Sequence, residues 1–432
     1  MCNLLRSSVM LAVFSSTVHA GPQGPTSLAL DQWIQWSQPI ATQKMLANIS
    51  PPGTPAGIVV ASPSKSNPDY FYHWIRDAAL TSDVVVSLYA RAEGEIKNVL
   101  RRRLFDYVDM SIRNQKTPNK SGGVGEPKFL ASGDAFNGDW GRPQDDGPAL
   151  RAMTLIRLAR ILILEGQSHL VSQKLYTSGW DSVIKTDLEY VSHNWRNTSF
   201  DLWEEVRGHH FYTRMVQRKA LLDGADLANQ LGDAGAAFWY REQGHLMEDE
   251  IMRHWNGNYF VSTLDRDGGI DYKTSGIDAS VVLGLLQGHR DDGFLPPSHD
   301  HVIATVRVIE DTFKRIYPIN NMGHRGIAIG RYPEDRYTGF SSNSAGNPWF
   351  INTNAFAEYY YLLAKEFRQK SGPQSTSWAQ KRGDDYLACT QFHMGDDGSM
   401  AEQMNRNTGF MQGAPDLTWS YASLLTAQWA RY

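Results

Sequence analysis

The sequence predicts an all-α protein in which about twelve helices form a toroid of six helix hairpins. Helical periodicity dominates the chain; for example, Val302, Val306, Ile309, Phe313 and Ile316 fall on one helix face. The predicted connections alternate between long and short segments, and long loops in compact domains are usually functional. If inner and outer helices take turns, all the long loops lie on one face and build one site there. The alternative is an irregular helical protein with scattered loops.

The helices are predicted in order along the chain, with little sign of strands. Segment 155–164 is apolar nearly all round, so its helix is expected to be buried on every side. The best candidate for a short strand is 259–263. We predict helices at 27–48, 77–92, 96–114, 148–165, 170–194, 209–230, 234–253, 277–287, 299–316, 348–367, 375–391 and 415–431.

Composition is ordinary for a soluble globular protein. Of the 432 residues 41% are hydrophobic and 20% are charged, with a formal net charge of −4. This charge gives no indication of a nucleic-acid partner, which would call for a clustered basic surface. No low-complexity tract or Ser/Thr/Pro-rich linker divides the chain, so we expect a single domain over residues 21–432. We also expect it to be a monomer.

Residues 1–20 are typical of a secretory signal peptide. Arg6 provides a positive start, 9–14 is apolar, and 18–20 resembles a small-residue cleavage site. The alternative is an ordinary N-terminal helix. Cleavage would leave Cys389 as the single cysteine, so no internal disulfide could form. No other segment is long and apolar enough to predict a membrane span.

Three sequons fit an exported, extracellular glycoprotein. They predict N-glycans at Asn48, Asn119 and Asn197, although such sequons also arise by chance.

The strongest chemical signal is a cluster of three carboxylates beside an indole. Asp201, Glu204 and Glu205 lie within five residues of one another, next to Trp203. Crowded like charges and an apolar wall raise carboxyl pKa values, and a protonated carboxyl can donate a proton to a leaving oxygen. The alternative is a set of acids at a helix N-terminus that interact with the helix dipole.

A second carboxylate and several cations could complete a sugar site. Glu402 lies in the long loop before the last helix, and glycoside hydrolysis normally uses two carboxylates. Arg76 and Asp77 are adjacent, and each can bind a pair of sugar hydroxyls. Taken singly, Glu402 could be a solvated loop residue and each arginine part of a surface ion pair.

Metal and cofactor signals are weak. His209 and His210 are adjacent and point to different sides of a helix, so they are poor co-ligands. Asp145 and Asp146 could hold Mg²⁺, but no phosphate-binding glycine loop accompanies them. The sequence contains no convincing serine nucleophile elbow and no zinc signature. We therefore predict neither a metal nor a cofactor.

Seven segments resemble the fungal glucoamylases of glycoside hydrolase family 15, in the order found in that family and over residues 69–422. They are DYFYHWIRD at 69–77, GEPKF at 125–129, WGRPQDDGPALR at 140–151, DLWEEV at 201–206, GRYPED at 330–335, GNPWF at 346–350 and DLTWSYA at 416–422.

This resemblance implies an (α/α)₆ barrel and an exo-acting enzyme that releases β-glucose from the non-reducing ends of starch and maltooligosaccharides, with inversion. It implies that Glu204 is the general acid and Glu402 the base, and that Asp201 occupies a position once assigned as the base. The implied substrate-binding residues are Tyr70, Trp74, Arg76, Asp77, Trp140, Trp203, Glu205, Arg331, Trp349 and Trp419.

The chain also departs from the family pattern. Phe200 stands where glycine is usual, Arg207 where a small polar residue is frequent, and Asp145 where arginine is common. These changes put the preference for chain length and linkage in doubt. After the predicted cleavage the usual disulfides could not form with one cysteine, and we expect no starch-binding module after Tyr432.

Two other functions stay open at this point. One is an α-glucosidase-like hydrolase for short or isomalto-oligosaccharides, and the other is a catalytically inactive sugar-binding toroid. A missing carboxylate would favour the inactive toroid.

Overall fold

The computed structural model describes residues 25–177, 182–370 and 372–432. The predicted signal peptide at 1–20 lies outside these residues and stays a prediction. In the described part of the chain, no helix is both long and apolar enough to cross a membrane.

Twelve helices of eight or more residues are present in the described ranges, close to the predicted set. Shorter pieces are a helical turn at Ser168–Leu170, a π-helical turn at Val171–Leu175 and a 3₁₀ turn at Pro318–Asn321. The twelve are α1 Leu30–Ala47, α2 Ile75–Arg91, α3 Gly94–Lys116, α4 Asp146–Leu164, α5 Val183–Asn194, α6 Phe211–Gln230, α7 Ala234–Met252, α8 Ser280–Gln287, α9 Asp300–Ile316, α10 Phe350–Lys370, α11 Pro373–His393 and α12 Thr418–Ala430.

The even-numbered helices form a closed inner ring. Helices α2, α4, α6, α8, α10 and α12 each contact the next, and α12 returns to contact α2. Helices α1, α3, α5, α7 and α11 pack against this ring as outer partners. An inner helix has neighbours on several sides, which explains why α4 is apolar over most of its surface. The predicted (α/α)₆ barrel is confirmed.

Seven short strands lie in the long connections and hold them together. They are β1 Tyr72–Trp74, β2 Lys128–Leu130, β3 Ser199–Phe200, β4 Val206–His210, β5 Thr263–Gly269, β6 Gln403–Met404 and β7 Met411–Gln412. The pairs β1–β2, β3–β4, β4–β5 and β6–β7 are all antiparallel. These pairings fix the loops that enter α2, α6 and α12.

Three local predictions are wrong. The predicted helix 170–194 is interrupted: α5 begins only at Val183, after the π-helical turn and an extended Tyr176. The strand predicted at 259–263 instead starts at Thr263 and runs through exposed polar residues, because pairing with β4 stabilises it. Leu164, predicted to be buried, is the last residue of α4 and is 87% exposed.

The predicted glycan at Asn48 is also wrong. Its side chain is 4% exposed, and its amide Nδ2 donates to the Asp416 carbonyl at 3.0 Å and to Thr418 Oγ1 at 2.8 Å. The folded protein leaves no room for a sugar on that nitrogen. Asn119 is half-buried and Asn197 is exposed, so glycans at these two sequons stay predictions.

Candidate active site

A cavity of about 350 Å³ opens where the long connections enter the inner helices. Its volume is in the range of small-molecule sites. Every predicted site residue except Asp201 lines it. These residues are Tyr70, Trp74, Arg76, Asp77, Trp140, Trp203, Glu204, Glu205, Arg331, Trp349, Glu402 and Trp419.

Asp201 lies beneath the cavity and organises the turn that carries two of its carboxylates. Its Oδ1 accepts the backbone N–H groups of Glu205 at 2.8 Å and Val206 at 3.0 Å, and its carbonyl accepts that of Glu204. Its Oδ2 accepts Lys273 Nζ at 3.0 Å. Burial alone would raise the pKa of Asp201, but Lys273 and these N–H groups lower it to about 2. This geometry does not support the catalytic role predicted for Asp201.

Glu204 projects from this turn into the cavity. Its backbone φ is 69°, in the left-handed region that a non-glycine residue rarely adopts. Its Oε1 accepts Trp74 Nε1 at 2.7 Å and Gln144 Nε2 at 3.2 Å, and Arg76 Nη2 lies 3.5 Å away. These donors fix the carboxyl through one oxygen, which leaves Oε2 as the atom to engage a substrate.

Glu402 is fully buried at the cavity wall. Its Oε1 accepts the Tyr70 hydroxyl at 2.9 Å, and that hydroxyl lies 2.7 Å from the hydroxyl of Tyr337. Its Oε2 has no hydrogen-bond partner among the described residues. Burial raises the pKa of Glu402, whereas Tyr70 and the charge of Arg331 oppose that rise. Because burial raises the pKa of Glu402 to about 8, Oε2 becomes a proton acceptor only once the carboxyl has ionised.

Arg331 links the remaining carboxylates of one wall. Its Nη2 donates to Glu205 Oε1 at 2.9 Å and to Asp335 Oδ1 at 2.6 Å, and its Nε donates to Asp335 Oδ2. Tyr332 donates to the other oxygen of Glu205 at 2.6 Å. Burial raises the pKa of Glu205, and the neighbouring guanidinium limits that rise. Both charged groups are therefore held rigidly where they line the cavity.

Arg76 and Asp77 lie in the first turn of α2 and also line the cavity. The Arg76 Nη1 donates to Gln144 Oε1 at 2.9 Å and to Asp146 Oδ2 at 3.2 Å. Burial raises the pKa of Asp77 to about 6, although Arg76 Nη2, 3.7 Å away, opposes the rise. A buried guanidinium beside a carboxylate can donate to one sugar hydroxyl and accept from another.

The tryptophan side chains of the cavity range from buried to exposed. Trp74, Trp203, Trp349 and Trp419 are at most 7% exposed, whereas Trp140 is 37% exposed. Trp140 therefore marks the mouth of the cavity, and the other four form its inner walls. Such rings provide flat apolar surfaces on which a sugar ring can pack.

A buried lysine that sequence reasoning missed supports this mouth. Lys128, 3% exposed, places its Nζ 3.6 Å from the ring centroid of Trp140 and 4.5 Å from that of Trp74. Tyr72 and Phe136 lie at 4.0 and 4.3 Å. Burial lowers the pKa of Lys128 to about 8, and cation–π contact compensates part of the desolvation. The sequence signal for Lys128 was its position in the GEPKF segment at 125–129, one of the segments that resemble the family.

Two further site residues were missed. Tyr337 lines the cavity beside Tyr70, and Gln144 bridges Arg76 and Glu204. Tyr337 lies outside the recognised motifs, so only the fold reveals it.

Comparisons with known proteins show the family of this chain. A sequence model described as Glycosyl hydrolases family 15 matches residues 39–429. Glucoamylase 1 of Rhizopus oryzae is 39% identical over 95% of this chain and 72% of its own length. The structure of Hormoconis resinae glucoamylase matches with a TM-score of 0.84 at 34% identity, over 93% of this chain and 74% of that one.

A glucoamylase structure from Saccharomycopsis fibuligera, at 30% identity, gives a TM-score of 0.85 over 96% of this chain and 97% of that one. The match therefore extends over nearly the whole of both molecules. This chain belongs to the Glycosyl hydrolases family 15.

Proposed function

We propose that this protein is a glucoamylase that removes glucose from the non-reducing ends of starch, maltooligosaccharides and related α-glucans. The observation that carries the proposal is the convergence of Glu204 and Glu402 on one cavity. Indoles and buried charges at its inner end would bind the terminal sugar, and Trp140 would contact the next sugar unit of the glucan. A site of this shape receives a chain end, which accounts for exo action.

Glu204 acts as the general acid. The Trp74 and Gln144 donors hold its Oε1, so Oε2 can present a proton to the glycosidic oxygen. Positioned proton transfer of this kind typically contributes about 10²- to 10⁴-fold to a rate.

Glu402 acts as the general base. Once Glu402 is ionised, its partner-free Oε2 accepts a proton from a water that attacks the anomeric carbon. With the water between base and carbon, the two carboxyls of an inverting enzyme are typically about 6.5–9.5 Å apart. The product of an α-glucan is then β-glucose.

The other cavity residues bind and orient the sugar. Arg76, Asp77, Glu205 and Arg331 offer charge-assisted hydrogen bonds to its hydroxyls. Tyr70 holds Glu402, and the indoles of the cavity wall pack on the sugar rings. Asp201 is a positioning residue, since it closes the turn below Glu204 and its oxygens are engaged within the protein.

The remaining sequence predictions belong to the same proposal. We propose one catalytic domain over residues 21–432, secreted after cleavage at Ala20 and monomeric. Asn197 is the sequon best exposed for a glycan. N-terminal sequencing of the secreted protein and size-exclusion chromatography test these points.

Incubation of the mature protein with soluble starch and with maltose tests the main proposal. We expect glucose as the first soluble product from both substrates. Initial release of maltose or longer oligosaccharides would contradict exo cleavage of single glucose units. Failure to release glucose from either substrate would refute the hydrolase.

A further inference from the structure

Three potential metal ligands meet outside the catalytic cavity. His324, Cys389 and His393 each place one ligand atom within 4.8 Å of those of the other two. Cys389 and His393 are four residues apart on α11 and therefore lie on one face of that helix. His324 reaches them from the connection between α9 and α10.

Backbone hydrogen bonds set the tautomers of both histidines. Nδ1 of His393 lies 3.0 Å from the Gly409 carbonyl, and Nδ1 of His324 lies 3.1 Å from that of Arg325. Since a carbonyl only accepts, each Nδ1 carries the proton and each Nε2 carries a lone pair. A backbone carbonyl on the far nitrogen is the usual second partner of a metal-bound histidine.

Both Nε2 atoms are buried and without a hydrogen-bond partner among the described residues. The Ile319 carbonyl also faces the His324 ring but completes no hydrogen bond to Nε2. A buried polar atom left unpaired costs free energy, so two such atoms beside one thiol require an explanation. Cys389 is itself fully buried and free of any disulfide.

We propose that His324, Cys389 and His393 bind a borderline-soft divalent cation such as Zn²⁺. Imidazole nitrogen and cysteine sulfur are the ligands that Zn²⁺ prefers. Ligand atoms of a tetrahedral zinc site lie about 3.3–3.8 Å apart, given Zn–N and Zn–S bonds of about 2.1 and 2.3 Å. The three ligand atoms reach that spacing when the distances between them shrink by about 1 Å. Adjustment of the His324 loop provides this movement.

The site is structural and lies apart from the proposed catalysis. His324 belongs to the connection that continues to Arg331, and the Gly409 carbonyl that orients His393 belongs to the hairpin after Glu402. A bound ion would fasten α11 to the first of these loops and stabilise the second. His324 is half-buried, which gives the ion a path from the surface.

Calorimetric titration of chelator-treated mature protein with ZnCl₂ tests the proposal. We expect one bound ion per chain and a rise in Tm of about 3 °C when free Zn²⁺ is one hundred times Kd. Co²⁺ as a probe should give a sulfur-to-metal charge-transfer band. Maltose hydrolysis at moderate temperature should be unchanged by chelation, which separates this test from that of the proposed function.

Variants assign the ligands. Cys389→Ala and His324→Ala should each weaken Zn²⁺ binding at least about tenfold, and Cys389→Ala should abolish the Co²⁺ band. His245→Ala is the matched control, because this histidine lies on α7, is 59% exposed and is not one of the three ligands. The variant should bind Zn²⁺ as the parent does. If Cys389→Ala fails to fold, the half-buried loop variant His324→Ala carries the test. Absence of Zn²⁺ binding by the parent, or equal binding by His324→Ala, would overturn the proposal.

Discussion

Replacing Tyr70 by Phe tests how the Tyr70 hydroxyl controls the pKa of the proposed base, Glu402. The ring that lines the cavity is kept, and only the hydroxyl that donates to Glu402 Oε1 at 2.9 Å is removed. A hydrogen bond to a carboxylate favours the ionised form, so its loss raises the pKa of Glu402. Because the base must be ionised to accept a proton from water, activity at low pH should fall more than activity at high pH.

The size of this shift follows from the contacts. A hydrogen bond to a charged group contributes about 1.5–3 kcal/mol, and one pKa unit corresponds to about 1.4 kcal/mol. The Tyr337 hydroxyl lies beside the Tyr70 hydroxyl and also interacts with the Glu402 carboxylate. It therefore retains part of the stabilisation of the ionised carboxylate in Tyr70→Phe. We therefore expect the lower end of the range, a rise of about one unit.

The assay is kcat/KM for maltose measured across pH for the parent and Tyr70→Phe. The acidic limb of the pH profile should move upward by about one pH unit, and kcat/KM on the plateau should fall by less than it does on that limb. Tyr72→Phe is the control, since its hydroxyl donates to the exposed Asp69 and the limb should stay in place. An unchanged acidic limb in Tyr70→Phe would refute the assignment of that limb to Glu402.

Three further substitutions probe the acid, the base and the turn that carries the acid. Glu204→Gln should lose about 10²- to 10⁴-fold in kcat on maltose but far less on α-glucosyl fluoride, whose leaving group needs little protonation; near-normal maltose turnover would contradict the acid role. Gly413→Ala places a Cβ about 2.4 Å from Glu402 Oε2 and should lower kcat about 10²-fold, whereas Gly323→Ala, at a similar positive φ with open space around it, should not. Asp201→Asn should reduce the free energy of unfolding by about 2 kcal/mol at pH 6, because its pKa falls from 3.8 to about 2 on folding. That stability is present above pH 4 and is lost as pH falls toward 2, so urea unfolding curves of parent and variant should converge there.

Most of the fold was predictable because each helix has its own periodic signature. The alternation of long and short connections then predicted the hairpin toroid, and the closed ring of even-numbered helices has that arrangement. Strand β5 could not be predicted, because residues 263–269 are polar and pair only through the backbone of β4. The burial of Asn48 depends on Asp416 and Thr418, far away in sequence.

Much of the site was predictable from motifs, since those segments carry the charged and aromatic residues that line the cavity. A sequence motif does not reveal which side-chain atoms remain free of hydrogen bonds in the folded protein. Asp201 looks equivalent to Glu204 in sequence, yet its oxygens are used by backbone N–H groups and a lysine. The His324, Cys389 and His393 group was missed because its first member joins a helix face only through tertiary contact. The four-residue spacing of the other two was the available signal.

The stereochemical outcome tests the central claim most directly. Glu204 as acid and Glu402 as base, with water between base and carbon, require inversion at the anomeric centre. NMR of the anomeric proton during the first minutes of maltooligosaccharide hydrolysis should therefore show new β-glucose before mutarotation mixes the anomers. Early accumulation of α-glucose would contradict the mechanism and the role of Glu402.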